Sequence, residues 1–145
     1  MRHLARRLLG SLSRREPAAA DTAWAESTLT SGELLLWRRL SAPDRRHAIV
    51  VGRRFMSLVG TAPWTRDEIA GALLHDIGKL DSDLGTAMRT VATIVGPRTT
   101  RFRRYHDHER IGAEMLVTAG SSPVTVELVA GHGRAAPALA RADNI

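Results

Sequence analysis

The sequence contains no cysteine. Disulfides, thiolate metal sites and cysteine nucleophiles are therefore excluded, and any metal must be held by His, Asp or Glu. Aromatic residues make up only 4% of the chain, so a core must be assembled from Leu, Val, Ile, Ala and Met. No apolar run approaches the ~18 residues of a membrane span. Leu8-Leu9-Gly10, inside a basic start, is too short for the apolar core of a signal peptide. A cytoplasmic location is the expectation. Lysine is almost absent: of 21 basic residues, 20 are arginine and one, Lys79, is lysine. This bias looks like codon preference, which weakens any case for nucleic-acid binding from charge alone and makes Lys79 conspicuous.

What is present fits one domain. A chain of 145 residues lies within the ~100–200 residues usual for a single domain. A globular part of about 115 residues buries roughly two-thirds of the surface its unfolded chain exposes, enough for one core. The net charge of +6 favours anionic ligands, phosphate esters among them.

Residues 1–28 carry Arg2, Arg6, Arg7, Arg14 and Arg15 around a few leucines, followed by Pro17 and three alanines. They read as a basic, solvated tail, with a membrane-touching helix as the weaker alternative. From Ser31 onward, helix punctuation is dense and no run alternates like a strand. Ser31 is a candidate cap for a helix carrying Leu34, Leu35 and Leu36, and Ser41 or Asp44 for one running to Val59. The second helix has His47, Val51, Phe55 and Leu58 on one stripe. Thr65-Arg-Asp-Glu68 is a capping box that opens a helix ending at Gly78. Ser82 opens another with Leu84, Met88, Val91 and Val95 on one face, stopped by Gly96-Pro97. Further helices are expected over 107–120, from Ser122-Pro123 to Gly131–Gly133, and from Pro137. The result is an all-α fold, a single compact bundle of about seven helices over residues 29–145.

Six chemistry-bearing residues fall on or beside the inward stripes of these helices: His47, His75, Asp76, His108, His132 and Asp143. His108 shares a face with Ile111 and Met115, His132 follows Val124 and Leu128 at intervals of four, and Asp143 lies four beyond Leu139. A lone histidine on such a face is commonly a satisfied core side chain. Six such residues on five helices are harder to dismiss, because a buried ionised carboxylate costs several kcal/mol unless a partner or a metal compensates it. The mixed imidazole and carboxylate set suits Mn, Fe, Co or Zn better than Ca.

Leu74-His-Asp-Ile-Gly-Lys79 resembles the HDIGK form of the signature that names the HD-domain superfamily of metal-dependent phosphohydrolases. Asp44-Arg-Arg-His47 is similar to that family's upstream histidine element, His108-Glu-Arg-Ile-Gly112 to its H-x-x-x-G element, Ala130-Gly-His132 to its next histidine, and Ala140-Arg-Ala-Asp143 to its closing aspartate. The resemblance spans residues 34–145. It implies a first metal on His47, His75, Asp76 and Asp143 and a second on His108 and His132, with Asp76 bridging. His106 is a rival for the role given to His108. Two divalent transition ions are implied, Mn, Fe, Co or Zn, with Mg possible. Asp76 and Lys79 are the implied catalytic residues, with Lys79 meeting substrate phosphate.

Two departures narrow the substrate. No G-Y-P tripeptide is present, which leaves the cyclic-di-GMP phosphodiesterase subgroup unsupported. Lys79 stands where guanosine-tetraphosphate hydrolases carry an acidic pair. A third departure, Gly133 where many relatives have a second histidine or an acid, bears on the metal set. The expected activity is hydrolysis of a phosphomonoester or phosphodiester, its substrate a small phosphorylated molecule such as a nucleotide. The alternative is an HD scaffold that senses a nucleotide or a partner without turnover. Arg98, Arg101, Arg103 and Arg104 form either an electropositive lip or a solvated loop, and Asp81 and Asp83 read as helix caps.

Overall fold

Helix boundaries in this chain are set by side chains that satisfy the first free amides of each helix. The structure, a computed structural model, describes residues 13–58, 60, 62–82 and 107–144. Among them are α1 (Ala19–Thr28), α2 (Ser31–Trp37), α3 (Ala42–Ser57), α4 (Arg66–Leu74), a 3-10 turn (Ile77–Ser82), α5 (His108–Thr118), α6 (Pro123–Val129) and α7 (Ala136–Asp143), with no strand among the described residues. The all-α expectation holds. Thr65 and Glu68 form the anticipated capping box, with the Glu68 carboxylate accepting the Thr65 amide at 2.8 Å. Ser41 caps α3 and Ser122 caps α6, each followed closely by a proline.

Three boundaries differ from the sequence reading. Thr30, not Ser31, caps α2, because Glu33 lies three residues beyond Thr30 and closes a second capping box at 2.8 Å. The helix opened by Thr65 ends at Leu74 rather than Gly78, and the chain tightens into the 3-10 turn. Residues 19–28 are not tail but helix: Ala25 is fully buried and Trp24 packs against the core. Arg53 stacks over the Trp24 ring at 3.9 Å and pairs with Asp21 at 3.2 Å, tying α1 to α3. The helix expected from Ser82 to Val95 lies outside the described residues, as do residues 1–12.

The middle of the bundle is α4. Residues 70–74 are all buried, the signature of a helix enclosed on every side. One apolar cluster contains Trp37, Ile49, Leu73, Leu74, Ile77 and Leu116. The other contains Val51, Phe55, Ala72, Leu128, Leu139 and Ala142. Enclosure of α4 holds its C-terminal end, His75-Asp76, at a fixed place among α3, α5 and α7. None of the described helices is long and apolar enough to cross a membrane.

A polar clamp locks this arrangement. The buried Glu68 carboxylate takes Arg134 Nε at 2.7 Å and Nη2 at 2.8 Å, a two-point pairing of planar groups. Arg134 stands just before α7, so the clamp joins the helix bearing His75 to the one bearing Asp143. Removing Arg134 leaves a buried carboxylate short of partners, a cost of about 1–3 kcal/mol. Urea unfolding of Arg134→Ala should show a stability loss of that size as a lower midpoint with an unchanged m-value; an unshifted midpoint contradicts the clamp.

Candidate metal centre

Three helix ends converge on one point. His47 comes from the second turn of α3, His75 caps the C-terminus of α4, Asp76 follows it, and Asp143 is the last residue of α7. His47 Nε2 lies 3.0 Å from Asp143 Oδ1, and His75 Nε2 lies 3.3 Å from the same oxygen. Asp76 Oδ2 is 3.4 Å from His75 Nε2 and 3.9 Å from His47 Nε2. Donor atoms of His47, His75 and Asp143 all lie within 4.8 Å of one another, close enough to share a metal ion.

The local backbone explains how His75 is aimed. An α-helix leaves its last carbonyls without intrahelical partners, and α4 ends at Leu74. The carbonyl of Ala72 accepts a hydrogen bond from His75 Nδ1 at 2.9 Å. A carbonyl can only accept, so Nδ1 carries the proton and Nε2 of the neutral ring presents its lone pair. Nε2 is buried with no hydrogen-bond partner, and it faces the two carboxylate oxygens. A lone pair among carboxylates is repulsive unless a positive charge lies between them. Such a charge is a proton in the free protein or a divalent cation in the loaded one. The donor set, two imidazoles with hard carboxylate oxygens, fits a borderline transition ion, and the backbone carbonyl on the other ring nitrogen is the usual orienter of a metal-binding histidine.

The electrostatics agree. Burial opposes protonation of His75, but Asp76 and Asp143 outweigh it and raise the ring's pKa above its ordinary 6.5. Burial likewise favours the neutral form of Asp76, yet His75, Lys79 and His108 prevail and hold its carboxyl at about 2. The imidazoles of His47 and His75 keep Asp143 far below the usual carboxylate range. Both aspartates are thus anionic at neutral pH.

Asp76 faces two ways. Its Oδ2 points to the His47 and His75 side and also takes Lys79 Nζ at 2.7 Å, whereas Oδ1 lies 3.5 Å from His108 Nε2 on α5. His108 is therefore brought to the far side of Asp76. His132 is not brought in. Gly131, at φ +88°, ends α6 in a left-handed residue: His132 N bonds Glu127 O at 2.9 Å, and Gly131 N bonds Leu128 O at 3.0 Å. This Schellman turn throws His132 off the Val124–Leu128 stripe, and its side chain is exposed. Asp81 lies in the 3-10 turn, and the helix it was expected to cap lies outside the described residues, as do Asp83, His106, Arg98, Arg101, Arg103 and Arg104. The sequence reading overlooked Ala72, since a backbone acceptor has no residue-type signature; a histidine at a helix C-cap was the available signal.

Proton linkage gives a test. His75, raised in the folded protein, contributes stability that is present below its unfolded pKa and lost as pH rises through the folded one. Asp76 and Asp143, depressed, contribute stability present above their unfolded pKa and lost as pH falls toward their folded values. Metal-free protein should be most stable between these windows, and its urea midpoint should fall on the alkaline side. Excess Mn2+ should remove the alkaline fall by taking the proton's place. Identical alkaline profiles with chelator and with Mn2+ contradict a shared proton and cation position.

The HD domain model matches residues 63–144, a span that contains His75, Asp76, Lys79, His108, His132 and Asp143 but not His47. No curated protein and no solved structure matches. The matched span exceeds half of the chain, and the described residues form helices with no strand among them; the chain belongs to the HD-domain superfamily of metal-dependent phosphohydrolases.

Proposed function

We propose that this chain is a cytoplasmic hydrolase that uses divalent transition ions to cleave a phosphomonoester or phosphodiester bond in a small phosphorylated molecule, a nucleotide being the favoured class. The carrying observation is the buried His75 Nε2 set without a hydrogen bond between the carboxylates of Asp76 and Asp143. His47, His75, Asp76 and Asp143 would hold the first cation, and Asp76 Oδ1 with His108 would begin the site of a second. Mn, Fe, Co and Zn suit these donors, and Mg is possible. Bound there, a divalent cation activates water near neutral pH and neutralises charge on phosphate oxygens.

The chain's own groups do the rest. The Ala72 carbonyl holds the His75 tautomer, and the enclosed α4 fixes the direction of Asp76. Lys79, partly buried beside Asp76, supplies a positive group next to the carboxylate that joins the two halves of the site. An ammonium aimed at equatorial phosphate oxygens lowers the barrier where their charge develops. It also competes with a cation for Asp76 Oδ2, so substrate binding and cation binding both draw on the Lys79–Asp76 contact.

A second reading is an HD scaffold that binds a nucleotide without turnover. It is favoured by one specific feature: with His132 exposed, His108 and Asp76 are the donors of the matched motifs on the second side among the described residues.

The test is a hydrolysis screen of nucleotides and a chromogenic phosphodiester with Mn, Fe, Co, Zn and Mg. His75→Ala and Asp76→Ala should lose activity almost completely and release metal. Lys79→Met should lower kcat by about 100-fold while Mn2+ binds at least as tightly. Full activity in both His75→Ala and Asp76→Ala would eliminate this site as the catalyst. Nucleotide binding without hydrolysis by metal-loaded protein would favour the second reading.

A further inference from the structure

Asp76 and His108 lie on different elements, the α4 C-terminal end and α5, and nothing covalent near the site sets their separation. What does set it is a backbone contact. The 3-10 turn that follows Asp76 packs on α5 more extensively than any other described pair of elements meets. At the centre of this packing, Gly78 lies against the first turn of α5. A β-carbon on Gly78 would overlap the carbonyl oxygen of His108 and stand 2.7 Å from the amide nitrogen of Gly112. Those two groups are at i and i+4, the pair that an α-helix joins by a hydrogen bond. The fit is reciprocal: a β-carbon on Gly112 would stand 3.1 Å from Gly78 N, 3.1 Å from Val129 Cγ1 and 3.2 Å from Ile77 Cγ2. Ile77 and Gly78 are both buried, so neither backbone can move outward without opening the core.

We infer that Gly78 and Gly112 are positioning residues: their side-chain-free contact sets the distance between Asp76 Oδ1 and His108 Nε2. The inference rests on the proposed use of Asp76 and His108 as one cation-binding pair. One residue, Ile77, separates Asp76 from Gly78, and His108 supplies the very carbonyl that Gly78 touches. A methyl group inserted here must push the N-terminal turn of α5 away, and that turn carries the His108 ring. His47, His75 and Asp143 sit on α3, α4 and α7, so their cluster does not depend on the displaced helix.

The other end of α5 supplies a control. A β-carbon on Gly32 would overlap the carbonyl oxygen of Ala119 and lie 3.1 Å from its carbon. Substitution there strains the same helix, but about 16 Å from His108 at 1.5 Å per residue. A residue acting only through stability should behave alike at both ends.

The experiment is a double-mutant cycle read by Co2+ alone, in calorimetric titrations of chelator-stripped protein, with helical circular dichroism and a cooperative melt verifying each fold. Gly78→Ala should weaken Co2+ binding by about 10–100-fold, the range for losing a group that orients a metal ligand, and His108→Ala, which removes the ligand itself, at least as much. Gly112→Ala should weaken it less, and Gly32→Ala should lower the melting temperature without changing affinity. In the His108→Ala background, Gly78→Ala should have no further effect on affinity, because sites acting through one group are not additive. Equal losses from Gly78→Ala with and without His108 overturn the inference, as does a folded Gly78→Ala that binds Co2+ like the parent. Should Gly78→Ala not fold, Gly112→Ala takes its place in the cycle under the same criteria. A silent His108→Ala instead overturns the ligand role proposed for His108 and the inference with it, a result distinct from additivity.

Discussion

The structure depends on a juxtaposition that demands a positive charge: a buried imidazole nitrogen faces two carboxylates, at 3.4 and 3.3 Å. The Ala72 carbonyl fixes the proton on the other ring nitrogen, so the lone pair cannot be turned away from the anions by a change of tautomer. In the free protein a proton on that nitrogen supplies the positive charge, which is why the two carboxylates raise the ring's pKa; packing keeps the three groups in place. Enclosure of α4 by both apolar clusters supplies it, as does the Glu68–Arg134 clamp that links the two helices carrying His75 and Asp143. A divalent cation placed among these groups supplies that charge in the proton's place. That is why a metal centre is the economical explanation of the geometry.

Much of this was legible in the sequence because helix ends have residue-type signals. Thr65 with Glu68, Ser41 with Pro43 and Ser122 with Pro123 each announced a helix start, and the helices they open carry or flank the site. Inward periodicity placed His47 and Asp143 on faces that do converge. Counting from Ile69 and Leu73 aimed Asp76 inward; it does face the site, but from the turn two residues beyond the last helical residue, Leu74.

The remainder failed for physical reasons that periodicity does not capture. His132 continued a stripe in sequence, but Gly131 had already taken the left-handed conformation that ends α6, so the extrapolated face no longer existed. Residues 19–28 looked like tail because they are rich in alanine and carry almost no amphipathic stripe; Trp24 and Ala25 bind them to the core through tertiary contacts alone. The role of Ala72 is a backbone role, and the contact of Gly78 with α5 is a contact made by the absence of a side chain. Neither can be read from residue type without knowing what lies opposite.

The central claim is that a divalent cation binds where His75 Nε2, His47 Nε2 and the carboxylates of Asp76 and Asp143 meet. Anomalous diffraction from crystals of the Mn2+-loaded protein tests it most directly. The account predicts a strong anomalous peak in coordination contact with His75 Nε2 and Asp143. A protein that takes up Mn2+ elsewhere, with that position occupied only by water or by a proton shared between His75 and Asp143, would contradict it.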